Sequence, residues 1–131
     1  MPDSQVRKII IIENDEFLSA IYKTKFESEG FKVTAINDGA KGLKAVQTKK
    51  PHIVLLEVII PKLDGFTILQ ALKKDEATKD IPVVLLTNLG QKEDVKKGLE
   101  MGAADYLIKT HFKPSETVDK VKKILNTMKG G

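Results

Sequence analysis

The polar residues that could do chemistry stand directly after apolar runs. Ile9–Ile12 is followed by Glu13-Asn14-Asp15-Glu16, Ile53–Leu56 by Glu57, Val83–Leu86 by Thr87 and Asn88, and Tyr106–Ile108 by Lys109. Singly, each has an ordinary reading: a solvated carboxylate, a strand-forming threonine, a surface lysine. Their joint placement at four of five apolar runs is a stronger signal. In an open α/β sheet, ligands bind beyond the carboxyl ends of the strands. If the runs are such strands, two carboxylates, a hydroxyl and an ammonium converge on one edge. That set suits a hard cation together with an anionic oxygen group. Other site chemistries are closed. The chain has no cysteine, which excludes disulfides, thiolate catalysis and Cys-based zinc sites. Its only histidines are His52 and His111, too few for a multi-histidine metal centre.

The fifth apolar run is Phe31–Ile36. Most of the runs are continuous rather than alternating, as expected of strands buried on both faces of a parallel sheet. Helical spacing fills the gaps. Phe17, Ile21, Tyr22 and Phe26 recur at helical steps, and Gly30 ends that segment. Asn37-Asp38-Gly39 is a turn before a short helix around Leu43 and Val46, which Pro51 stops. Asp64 can cap a helix carrying Phe66, Leu69 and Leu72. Gln91 to Glu100 forms the next, ending near Gly102. The last begins at Pro114-Ser115 and is expected to bury Val118, Val121, Leu125 and Met128. The pattern is (βα)5: a parallel sheet covered on both sides, joined by right-handed crossovers.

The 131 residues suit one domain, 1–131, with a core over about 7–128. Apolar residues make up 41%, enough for a real core. The net charge is +4, but lysines are interleaved with acids, as in Lys92-Glu93-Asp94-Val95-Lys96-Lys97. That is a solvated surface rather than a basic stripe, and no nucleic acid is expected as a partner. No apolar run approaches the ~20 residues that span a membrane, and Met1–Gln5 lacks the apolar stretch of a signal peptide. A cytoplasmic protein, with no membrane partner, is the expectation.

Longer motifs carry a family resemblance. Ile9-Ile10-Ile11-Ile12-Glu13-Asn14-Asp15-Glu16-Phe17-Leu18 resembles the first strand and acidic turn of a response-regulator receiver domain of two-component signalling. The stretch from Pro51 through Glu57 to Pro61-Lys62-Leu63-Asp64-Gly65-Phe66 is similar to the family's phosphoacceptor strand and loop. Val83-Val84-Leu85-Leu86-Thr87 resembles its hydroxyl strand, and Gly102-Ala103-Ala104-Asp105-Tyr106-Leu107-Ile108-Lys109 its switch-aromatic and lysine segment. The resemblance runs from about Arg7 to Met128. It implies a flavodoxin-like three-layer sandwich of five parallel strands in the order 2-1-3-4-5. It also implies a phosphorelay function: a phosphoryl group passes from a histidine kinase or phosphotransfer protein to the position of Glu57, without enzymatic turnover of its own. Mg2+ would be held at Glu13, Asn14, Glu57 and the backbone carbonyl of Ile59. Thr87 and Lys109 would bind phosphoryl oxygens, and Tyr106 would switch with Thr87. Output would pass to a downstream protein or a second copy through the fourth helix, fifth strand and last helix. The underlying chemistry is positioning and charge stabilisation.

The sequence departs from that pattern. Glu13 is a variant of the first acid, Asn14 stands where a second acid and metal ligand is expected, and Thr110 follows Lys109 in place of the common proline. Glu13, Glu57 and Lys109 give a pocket charge near −1, so Mg2+ should bind weakly or not at all. Asp15 could compensate only by rotating inward; helix capping is its ordinary role. Glu57 replaces the expected aspartate. The extra methylene moves the carboxylate by about 1.2–1.5 Å, and a misplacement of about 1 Å can cost on the order of 10²-fold in rate. Glu57 therefore blocks phosphorylation or partly imitates it, carrying less charge than a phosphoryl group. The alternatives are a pseudo-receiver that never cycles phosphate and, more distantly, a flavin-binding flavodoxin-like protein. The acidic first turn opposes the latter, since flavin phosphate needs a Gly/Ser/Thr-rich loop. An aspartyl-nucleophile phosphatase would need two aspartates flanking one residue, which Glu13-Asn14-Asp15 does not supply.

Overall fold

The computed structural model describes residues 6–130, with side chains through residue 128. Met1–Gln5 and Gly131 lie outside the described residues, and with them the expectation about a missing signal peptide. Strands β1 (Lys8–Ile12), β2 (Lys32–Ile36), β3 (Ile53–Leu56), β4 (Val83–Thr87) and β5 (Asp105–Ile108) alternate with helices α1 (Glu16–Ser28), α2 (Gly39–Lys49), α3 (Gly65–Lys74), α4 (Lys92–Glu100) and α5 (Pro114–Gly130). A 3₁₀ turn, Lys109–His111, joins β5 to α5. The five strands pair in parallel in the order β2-β1-β3-β4-β5, as the resemblance implies.

The run Ile9–Ile12 sits on an inner strand, between β2 and β3, and all four side chains are buried. Burying a side chain of that size contributes about 1.5–3 kcal/mol. Alternation along the strand divides the four between two layers. Ile9 and Ile11 pack with Tyr22 and Phe26 of α1 and with Val118, Val121 and Leu125 of α5. Ile10 and Ile12 pack with Val46 of α2 and with Ile68, Leu69 and Leu72 of α3. The edge strand β2 is only half-covered, so it lacks the burial of the inner strands.

Local signals set the helix starts. Asp15, Asp38 and Asp64 cap α1, α2 and α3, accepting from the backbone N–H of Leu18, Lys41 and Thr67. Such caps are worth about 1 kcal/mol each. Pro114 is the first residue of α5, where its missing N–H costs nothing.

Two expectations need correction. Phe17, grouped by spacing with Tyr22 and Phe26, is 78% exposed. Five helical steps place it about 140° around the axis from Tyr22, off the face that Ser19, Tyr22 and Phe26 bury. Met128, expected in the buried stripe of α5, is 51% exposed. A 17-residue helix is about 25 Å long, whereas β5, of four residues, covers only about 13 Å. The final turn of α5 overhangs the sheet. Among the described residues, no helix is long and apolar enough to cross a membrane.

Candidate functional site

The register positions the acids. Ile12 pairs with both Ile36 and Leu56, so the next residues, Glu13 and Glu57, leave adjacent strands side by side. The Glu57 N–H donates to the Ile12 carbonyl at 2.9 Å and the Glu13 N–H to Ile36 at 2.9 Å, which carries the ladder one residue beyond the strands. Both carboxylates are buried, with Glu13 at 3% and Glu57 at 7% exposure.

Lys109 closes the arrangement. It follows β5, and its Nζ reaches across to Glu13 Oε1 at 2.7 Å and Glu57 Oε1 at 2.5 Å. The second oxygen of each carboxylate takes a backbone donor. Asp15 N–H donates to Glu13 Oε2 and Ile59 N–H to Glu57 Oε2, each at 3.0 Å. Burial pulls the Lys109 ammonium towards deprotonation, but its bonds to Glu13 and Glu57 more than reverse this and hold its pKa above the usual lysine value. The ammonium is therefore a permanent charge at neutral pH.

Thr87 ends β4, the strand between β3 and β5, and is fully buried. Its Oγ1 accepts from the Leu89 N–H at 3.2 Å. Tyr106 is turned inward at 7% exposure, and its hydroxyl donates to the Leu89 carbonyl in a very short hydrogen bond. The main-chain N–H and carbonyl of Leu89 are thus both held by the two residues that the resemblance pairs as a switch. Burial, with the charges of Asp94 and Glu57, pushes the Tyr106 hydroxyl up to about 12.

The remaining expected residues stand apart from this cluster. Asn14 is exposed at the rim, and Asp15 is turned away as the α1 cap. Ile59 meets Glu57 through its N–H, while its side chain is 63% exposed. The residues missed in the sequence are main-chain partners, Leu89 and the N–H groups of Asp15 and Ile59, which leave no side-chain signature. A surface depression of about 680 Å³ lies elsewhere, between α3 and α4, where Lys97 covers the Phe66 ring at 4.5 Å.

A divalent ion seeks six or more oxygen ligands with free lone pairs facing it. Here each of the four carboxylate oxygens already accepts a donor, and the one cationic position between the acids is filled by Lys109. Among the described residues, no three His, Cys, Asp or Glu side chains are grouped to hold a metal. As arranged, the donor set does not fit Mg2+.

The chain matches the family model of the response regulator receiver domain over residues 9–122. It belongs to that family. It is 39% identical over 118 residues to the DNA-binding dual master transcriptional regulator RpaA of Synechocystis sp., covering 90% of this chain and 48% of the relative. It is 34% identical over 119 residues to the alkaline phosphatase synthesis transcriptional regulatory protein PhoP of Bacillus subtilis, covering 91% and 48%. The chain spans about half the length of these curated relatives. The solved receiver domain of the Francisella response regulator 1452 superposes with a TM-score of 0.86 at 29% identity, covering 93% of this chain and 98% of that one.

Proposed function

We propose that this receiver domain signals by docking onto other proteins, and that Glu57 at its acceptor position blocks phosphoryl transfer. The observation that carries this reading is the engagement of Glu57. One carboxylate oxygen is paired with Lys109 at 2.5 Å and the other accepts from Ile59 N–H. A nucleophile needs a free oxygen in line with the donor phosphorus, and a carboxylate about 1.2–1.5 Å too long, already tied at both oxygens, does not offer one. Catalysis of phosphoryl transfer is mostly positioning, so this defect falls on the decisive step.

The contact between Glu57 and Lys109 also takes up the ammonium that would otherwise meet a phosphoryl oxygen. Glu57 thereby favours the inward Tyr106 arrangement, by no more than its difference in interaction energy between the two states of the switch. The partners are a histidine kinase or phosphotransfer protein at the Glu57 edge, where Phe17 and Ile59 expose apolar surface. A downstream protein or second copy is assigned to the α4–β5–α5 face, in the cytoplasm and without enzymatic activity. Any DNA contact, as named for RpaA, is left to parts of a full regulator beyond the matched span. Receivers of this family use Mg2+, and in this chain its binding is assigned as weak.

The test is incubation with a small-molecule phosphodonor and Mg2+, followed by intact mass. The native chain stays unmodified, and Glu57→Asp gains one phosphoryl mass. If Asn14→Asp must be added before any mass is gained, the acidic turn has also lost its role, and the chain is a pseudo-receiver.

A further inference from the structure

We propose that Lys109 is the resident cation of this pocket, and that its ammonium is the main barrier to a divalent ion between Glu13 and Glu57. The two carboxylates converge on one point, and Lys109 Nζ occupies it, 2.7 Å and 2.5 Å from their nearer oxygens. Both acids and the lysine are largely buried, at 4%, 7% and 12% side-chain exposure, so water screens the cluster poorly. The other two oxygens are held by the N–H groups of Asp15 and Ile59, which orient the acids without adding charge.

Competition follows from the charges. With Lys109 in place the three side chains carry −1, and an entering Mg2+ must displace the ammonium yet remain its neighbour. Without the ammonium the pair carries −2 and matches a divalent ion. Asn14 adds an oxygen but no charge, and it is exposed at the rim, so restoring an acid there leaves the central position filled. Glu57 contributes the shorter of the two contacts to the lysine, at 2.5 Å. The lysine that a phosphoryl group would meet is here spent on holding the acids.

The proposal rests on the family reading of the pocket but not on whether Glu57 accepts a phosphoryl group, because no phosphodonor enters its test. Mg2+ alone is titrated into the native chain, Lys109→Gln and Asn14→Asp, by calorimetry and by thermal midpoint. Gln keeps a donor for both acids and removes the charge. Lys109→Gln should bind Mg2+ about tenfold or more tightly than the native chain, and its midpoint should rise with Mg2+ while the native midpoint does not. Asn14→Asp should gain less than Lys109→Gln. The proposal is overturned if Lys109→Gln leaves affinity unchanged, or if Asn14→Asp alone gives the larger gain. Should Lys109→Gln fail to fold, the Nζ resonance of Lys109 in the native chain decides. Unmoved by millimolar Mg2+ it supports a resident ammonium; shifted in a saturable way it refutes one.

Discussion

Glu13 and Glu57 are buried acids that share one lysine, and the energetics of such a group are asymmetric. Assembling it gains little, because desolvating three charges offsets their attraction. Breaking it is expensive, because two carboxylates are then left against each other without a counter-ion. Lys109→Met should therefore destabilise the fold by about 3–5 kcal/mol, read from urea denaturation. Adding Glu57→Gln should recover part of that loss, giving a coupling energy well above the ~0.3–0.5 kcal/mol scatter of independent sites. A loss under about 1 kcal/mol would mean that the cluster behaves as a surface pair. The placement of these residues at strand ends was legible, since each follows an apolar run. The bridging by Lys109 was not. It depends on a lysine beyond β5 reaching past β4 to β3 and β1, and spacing along the chain carries no record of that reach.

The elements owe their order to signals that a sequence displays well. Apolar runs marked the strands, while Asp64 and Pro114 marked two helix starts. Two side chains were misplaced: Phe17 lies off the buried face of α1, and Met128 sits in the last turn of α5, beyond the sheet. The 3₁₀ turn Lys109–His111 had no sequence signal either, yet it directs the chain from β5 into α5 just where the lysine is needed. The start of α3 is equally close to the site. A Cβ on Gly65 would lie 2.6 Å from the Glu57 carbonyl oxygen and 2.7 Å from Val58 Cα. Alanine is favoured over glycine inside a helix by about 1 kcal/mol, but backbone atoms cannot yield as a side chain does. Gly65→Ala should destabilise the fold by about 1–3 kcal/mol and shift the backbone resonances of Glu57 and Val58. A stabilised variant with unchanged resonances would show that the loop after β3 is looser than this packing requires.

The whole domain joins its two faces to one edge, and its alkaline behaviour reports that coupling. Both tyrosines of the chain, Tyr22 and Tyr106, are pushed above their ordinary value, first by burial. For Tyr106, raised to about 12, the folded state holds its proton where the unfolded chain has released it. Stability from this group is complete below the ordinary value of about 10 and is lost as pH rises from there through the folded value. Lys109, also raised, loses its contribution in the same direction, above the ordinary lysine value. Absorbance at the tyrosinate band should show no ionisation with a midpoint near 10 while the fold persists, and melting temperature should fall across that alkaline range. A tyrosine titrating at its ordinary value would place one ring in solvent. Whether the chain accepts a phosphoryl group is read most directly from the rate and site of phosphoryl gain. Native chain, Glu57→Asp and Glu57→Asp with Asn14→Asp are treated with phosphodonor and Mg2+, weighed intact over time, and mapped by fragment mass. We expect no gain for the native chain and one phosphoryl group at residue 57 in a chain carrying Glu57→Asp. A stoichiometric phosphoryl group on Glu57 of the native chain would contradict it.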